Sequence, residues 1–194
     1  VEAKYDGFRV QVHKKGKEIT IFSRNLESMT DMFPEIVSAA KKELKSENLI
    51  VEGEALAVNE ETNEFYPFQV TIQRKRKYDI DVKAKELPLK LFLFDAMLID
   101  DQNIMHLPFI ERREKIIKLI DKNAETIEPT KSIITDKAEE IDQFFNENVS
   151  AGLEGIMCKD LNAPYIAGAR KFAWIKLKRS YKGELQDSVD LVIL

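Results

Sequence analysis

The chain has 194 residues, 44% hydrophobic and 33% charged, with 30 Lys and Arg against 34 Asp and Glu for a net charge of −4. These fractions are those of a globular protein with a charge-rich surface, long enough for one large domain or two small ones with a buried core. No apolar run approaches the roughly 18 residues of a helical membrane span, no secretory signal is visible, and the lone Cys158 excludes an intrachain disulfide.

One cysteine fits a reducing compartment. His13 and His106 could build a zinc site with it only if carboxylates joined them. The net charge of −4 argues against a nucleic-acid partner, but the charge is uneven. Residues 163–182 contain no acid, yet Arg170, Lys171, Lys176, Lys178, Arg179 and Lys182 fall there. Arg74-Lys75-Arg76-Lys77 is a second basic cluster. Such patches can attract phosphates locally while the rest of the surface does not.

The chain opens on Val1 rather than Met, directly before Lys4-Tyr5-Asp6-Gly7-Phe8-Arg9, and reads as a domain excised from a longer protein. Phe8 to His13 alternates apolar and polar residues, which predicts a half-buried strand, with Glu18 to Ser23 as its hairpin partner. Phe33 to Leu44 predicts an amphipathic helix with Pro34 in its first turn, Asp31 as its cap, and Ile36, Val37, Ala40 and Leu44 on one face. Leu49 to Val58 reads as a strand, Pro67 to Arg76 as a short helix carrying the basic cluster, and Leu89 to Ile99 as a long apolar strand interrupted by Asp95. A helix follows Pro108 to about Ile120, with Phe109, Ile116, Ile117 and Ile120 inward. Asp136 is the expected cap of a helix to about Asn148. Gly152–Lys159 starts a strand, Leu161–Ala169 is a loop, Phe172–Arg179 is a strand, and Val189–Leu194 begins another. Strands and helices mix without regular βαβ alternation, so the expected class is α+β with mostly antiparallel sheets flanked by helices.

Several short stretches carry chemistry. Lys4 could be a nucleophile if its amine becomes neutral; taken alone it reads as an exposed strand lysine. Glu52-Gly53-Glu54 places two carboxylates on one strand face, spaced for a divalent metal or a ribose hydroxyl, or for a solvated face beside a glycine bulge. Phe92 and Phe94 share a face of their strand, where either could stack on a base or simply fill the core. Glu154 precedes a strand and could support magnesium beside phosphate oxygens. In Trp174-Ile175-Lys176-Leu177-Lys178 the two lysines share a face, and because they repel unless an anion lies between them the expected reading is a phosphate site.

In this order the stretches resemble the covalent nucleotidyltransferase superfamily, most closely the adenylation domain of ATP-dependent DNA ligases of archaeal and eukaryotic type. Lys4–Arg9 looks like that family's first motif and Ser23-Arg24 like the short motif after the first hairpin. Glu52-Gly53-Glu54 is similar to the next acidic element, Leu93-Phe94-Asp95 to the base-stacking strand, and Glu111-Arg112-Arg113 to the helix downstream. Glu154–Lys159 and Trp174–Lys178 resemble the last two motifs of the domain.

The resemblance implies an ATP-grasp-like nucleotidyltransferase fold over residues 1–187, with residues 188–194 opening an absent OB-fold domain. It implies that Lys4 becomes a lysyl-AMP phosphoramidate, that Glu2 reads the adenine amino group and that Phe94 stacks on the ring. Arg9, Arg24 and Glu52 would bind ribose or phosphate, Arg170 would join them, and Lys176 and Lys178 would hold the α-phosphate. Glu52 and Glu154 would support Mg²⁺. The implied partners are ATP, nicked double-stranded DNA, the OB-fold and DNA-binding domains of the same chain and a sliding clamp. The setting would be intracellular, cytoplasmic in an archaeon and nuclear in a eukaryote, in DNA replication, repair and recombination. Without the OB-fold motif the fragment is expected to bind ATP but to self-adenylate slowly and seal nicks poorly. An mRNA capping guanylyltransferase, an RNA ligase and a non-catalytic nucleic-acid-binding module stay open as alternatives.

Overall fold

The alternating stretch at the start folds as predicted. In the computed structural model, which describes residues 1–59, 62, 64–75, 78–168 and 172–182, strands β1 (Glu2–Lys4), β2 (Phe8–Lys15) and β3 (Glu18–Ser23) come first. Helix α1 (Pro34–Glu43) and strand β4 (Asn48–Ala57) follow, then short helices α2 (Phe68–Thr71) and α3 (Ile80–Glu86). Next come strands β5 (Leu89–Ile99) and β6 (Gln102–Asn103), helix α4 (Phe109–Leu119) and strand β7 (Ile127–Pro129). Helix α5 (Ala138–Ser150) and strands β8 (Gly155–Lys159) and β9 (Trp174–Lys178) complete the elements that position the site.

Two sheets form. The larger has the order β3-β2-β4-β5-β6, all antiparallel, with β7 added parallel to β5; the smaller is β1-β8-β9, also antiparallel. The α+β expectation therefore holds, with one parallel pair that the sequence did not signal. Side chains alternate across each strand. On the larger sheet Val10, Val12, Val51, Leu91 and Leu93 face a core closed by Ile36, Ala40 and Ile116. Arg9, Glu54 and Phe92 lie opposite one another across β2, β4 and β5 on the other face. On the smaller sheet Ala3 and Ile156 pack on Phe144 and Phe145 of α5, which leaves Glu2 and Lys4 on the face toward the larger sheet.

Several details differ from the sequence reading. Neither Asp31 nor Asp136 caps a helix: α1 begins after Phe33 and α5 after Lys137, and neither residue makes a side-chain cap hydrogen bond. Ile117 is 51% exposed, because Arg112 and Arg113 occupy the inner stripe of α4 beside Phe109 and Ile116. The basic cluster is not one exposed patch. Arg74 is buried, paired with Glu35 at 2.6 Å and donating to the Met32 carbonyl, whereas Lys75 is exposed. Arg76, Lys77 and the segment 188–194 lie outside the described residues, so the proposed division at residue 187 does too.

Candidate active site

Residues Tyr5, Asp6 and Gly7 carry the chain from the smaller sheet to the larger, so Lys4 and Arg9 stand on opposite walls of the space between. The crossing is tight. A Cβ on Gly7 would sit 2.3 Å from the Ala55 carbonyl oxygen, and the Gly7 N–H donates to Glu54 Oε1 at 3.1 Å. Glycine is required there for close approach of two backbones. The walls enclose a cavity of about 490 Å³, lined among others by Lys4, Arg9, Glu54, Phe94 and Lys159.

Lys4, Gly155 and Lys178 are aligned across β1, β8 and β9. The Glu154 carboxylate bridges the two lysines: one oxygen pairs with Lys4 and the other with Lys178. Glu154 thus neutralises Lys4 and Lys178, a different pair from the Lys176 and Lys178 that the strand pattern singles out. Burial would raise the Glu154 carboxyl, but Lys178 and Lys4 outweigh it and hold the group below the usual carboxylate range. Asp6 is shifted upward, by burial first and then by the Glu154 charge.

At the other end of the cavity the Phe94 ring meets Trp174 edge-on at 6.0 Å between centroids. The Arg9 guanidinium lies 5.6 Å and the Lys159 ammonium 5.1 Å from the Phe94 centroid. Lys159 also sits 4.1 Å from the Trp174 centroid and pairs with Glu2 at 2.5 Å. Glu2 is 2% exposed. Its Oε1 accepts from Arg113 and, at 2.9 Å, from the Thr130 hydroxyl. Phe92 is core instead, stacked on Tyr5 with centroids 4.3 Å apart.

Lys4, Glu2, Arg9, Arg24 and Phe94 thus converge on one cavity, and Lys178 and Glu154 join it through Lys4. Lys176 lies beside Met157 on β9 and is exposed. Arg170 lies outside the described residues. Glu52 departs from its expected place. Its carboxylate is 5% exposed, does not line the cavity, and is taken up by Arg9, Gln11 and Tyr165. The neighbouring acid Glu54, by contrast, lines the cavity. The sequence reading also missed Lys159, Trp174 and Arg113 as parts of the site. Each closes or opens a stretch already singled out, so the stretches were visible but not the partners.

Among the described residues no group of three or more His, Cys, Asp and Glu side chains is placed to hold a metal unaided. Magnesium bound with a triphosphate needs only one or two carboxylates, and Glu154 is a donor of that kind. Glu54 is a second charge-sensitive group. Burial pushes its carboxyl up to about 7, against the Gly7 N–H and Lys4, which pull it down. An acid whose folded pKa lies above its unfolded value of 4.5 binds extra protons in the folded state. Stability should therefore be full below pH 4.5 for this group and fall as pH rises toward 7. Thermal melts across that window should show a steeper decline for the wild type than for Glu54→Gln; parallel curves would contradict the assignment.

The model of the family described as ATP dependent DNA ligase domain matches residues 1–178. A "Probable DNA ligase" of Dictyoglomus turgidum is 54% identical over all 194 residues, and a "DNA ligase" of Hyperthermus butylicus is 44% identical over 196 aligned positions. The chain spans 33% and 32% of the length of those two relatives. Among solved structures, a mycobacterial DNA ligase D complexed with ATP and MES superposes with a TM-score of 0.70 at 20% identity, covering 92% of this chain and 53% of that one. The ATP-dependent DNA ligase from bacteriophage T7, in complex with ATP, gives 0.65 at 16% identity over 91% of this chain and 60% of that one. At such identities these two show a shared fold. By its sequence, the chain belongs to the ATP dependent DNA ligase domain family.

Proposed function

We propose that this chain is the adenylation domain of an ATP-dependent DNA ligase, in which Lys4 accepts AMP from ATP. The observation that carries the reading is Lys4 on the cavity wall, joined through Glu154 to Lys178, with an aromatic ring and a buried carboxylate at the far end. Adenine would lie against Phe94 with its amino group toward Glu2. Three donors already hold Glu2, two on Oε1 and one on Oε2. A carboxylate has about four acceptor positions, so one on Oε2 is left for a base amino group. A carbonyl in the same place, as in guanine, brings no proton and is rejected.

Attack requires a neutral amine, and a carboxylate partner favours the charged one, so the Lys4–Glu154 pair must loosen first. Arg9, Arg24 and Lys75 line the cavity and are the groups that would take up triphosphate charge. Mg²⁺ held by Glu154 and phosphate oxygens would supply positive charge that offsets what develops on the transferred group. The neutral Lys4 nitrogen then bonds to the α-phosphorus, the bond to the β-phosphate oxygen breaks, pyrophosphate leaves, and the proton that the nitrogen sheds goes to solvent. Lys178, with Lys176 and Arg170 from the same stretch, would hold the α-phosphate. AMP would pass to the 5′-phosphate at a nick in double-stranded DNA, and the 3′-hydroxyl would displace it.

The remaining two thirds of the relatives' length has room for DNA-binding and OB-fold domains, and a sliding clamp is a further expected partner. The setting is intracellular, in replication, repair and recombination. Competition decides against the other nucleotidyltransferases: unlabelled ATP should suppress labelling by α-labelled ATP at least tenfold better than GTP, roughly the effect of one unpaired buried polar group. Equal suppression would overturn the adenine assignment.

A further inference from the structure

Glu52, Gln11 and Tyr165 have no part in that reaction, yet with Arg9 they form a polar cluster beside the cavity. Arg9 donates to both Glu52 oxygens at 2.9 and 3.1 Å, Gln11 donates to Oε1 at 3.3 Å, and the Tyr165 hydroxyl donates to Oε2 at 3.0 Å. Arg9 and Gln11 come from β2, the strand next to Glu52 in the larger sheet. Tyr165 comes from elsewhere, the loop joining β8 to β9 of the smaller sheet. That loop is pinned. The Tyr165 N–H donates to the Met105 carbonyl at 2.8 Å, and Arg112 donates to the Ala163 carbonyl at 3.1 Å. Arg112 is itself locked to Asp95 at 2.7 and 3.0 Å, and its guanidinium lies 6.0 Å from the Tyr165 ring centroid. The backbone, not a mobile side chain, therefore fixes where the hydroxyl sits.

Arg9 is the member that reaches the cavity. Its guanidinium stands over the Phe94 ring, and its side chain is 38% exposed. A long, half-exposed side chain loses rotamer freedom when it binds a ligand, and holding it beforehand reduces that loss. We propose that Tyr165 is a positioning residue of the nucleotide site: through Glu52 it holds the Arg9 guanidinium over the cavity and thereby sets affinity for the nucleotide triphosphate. The proposal rests on the nucleotide-binding reading above. Burial and the Glu52 charge push the Tyr165 hydroxyl up to about 12, so it remains a donor over the working pH range. Without that donor Glu52 Oε2 keeps Arg9 as its partner but loses the contact that fixes it, and is free to rotate with Arg9. Lys4 and Glu154 are untouched by the cluster, so the chemical step should not change.

The test is calorimetric titration of the chain with α,β-methylene-ATP, whose bridging carbon blocks transfer to lysine. Wild type, Tyr165→Phe, Arg9→Ala and the double variant are compared. Tyr165→Phe should weaken binding about three- to tenfold, part of the worth of a hydrogen bond to a charged group, with its melting midpoint little changed. On the Arg9→Ala background the same substitution should cause no further loss. With ATP itself, KM for labelling should rise by the same factor while the saturated rate stays put. Unchanged affinity in Tyr165→Phe, or losses that add in the double variant, would overturn the proposal and leave Tyr165 a packing residue. Failure of the wild type to bind the analogue would instead remove the nucleotide reading, and the proposal with it.

Discussion

Replacing Arg112 with Met is expected to lower the free energy of unfolding by about 3–5 kcal/mol, the usual effect of stranding one member of a buried ion pair. Both Arg112 and Asp95 are 0% exposed. Arg112 donates to the two Asp95 oxygens and to the Leu107 and Ala163 carbonyls, so its loss strands a carboxylate and two acceptors at once. Asp95 follows Phe94 on β5, and Ala163 lies in the loop that carries Tyr165. Damage should therefore spread from stability to the cavity. Adding Asp95→Leu to Arg112→Met should recover part of the loss, because a neutral apolar pair need not be solvated. Urea denaturation of the two variants reads this directly. A loss below about 1 kcal/mol for Arg112→Met, the range of an exposed pair, would show that the ion pair is solvated after all.

Glu154→Gln is expected to reduce formation of covalently labelled protein by about 10²–10³-fold, the range seen when one preorganised electrostatic group is removed from a reacting centre. The amide keeps the shape of the side chain but cannot balance two ammonium groups or support a divalent cation. Glu154 and Lys4 are each 22% exposed, so the fold should survive, and an unchanged melting curve serves as the control. Labelling within a factor of about 3 of the wild type would mean that the bridge between Lys4 and Lys178 is a resting contact with no part in transfer, since a group worth under 1 kcal/mol is not stabilising the transition state.

The sequence made the strands of the site legible by two signals: β2 and β3 fall where the alternation of Phe8–His13 and its hairpin partner Glu18–Ser23 predict them, and β5 where the apolar run Leu89–Ile99 does. Short elements were not legible. β1 and β7 have three residues each, too few to show a period, and α3 has no buried residue to mark a face. Buried charges were the other blind spot. Arg74, Arg112, Arg113 and Glu2 look like surface residues until their partners, which are 17 or more positions away, come beside them. The same effect separates Glu52 from Glu54. Two acids two residues apart look equivalent in a strand, but Arg9, Gln11 and Tyr165 engage one and leave the other toward the cavity. Lys4 was found because its neighbours are chemically unusual; its pairing with Glu154 depends on antiparallel β1 and β8, which no local pattern reveals.

The most direct test of the account is incubation with α-labelled ATP and Mg²⁺ followed by denaturation, wild type against Lys4→Ala. Acid-labile label should stay with the denatured wild type, mapping to the peptide that holds Lys4, and none should stay with the variant. Label retained by Lys4→Ala would contradict the lysyl-AMP mechanism. So would its absence both from this chain and from one extended to the length of its relatives.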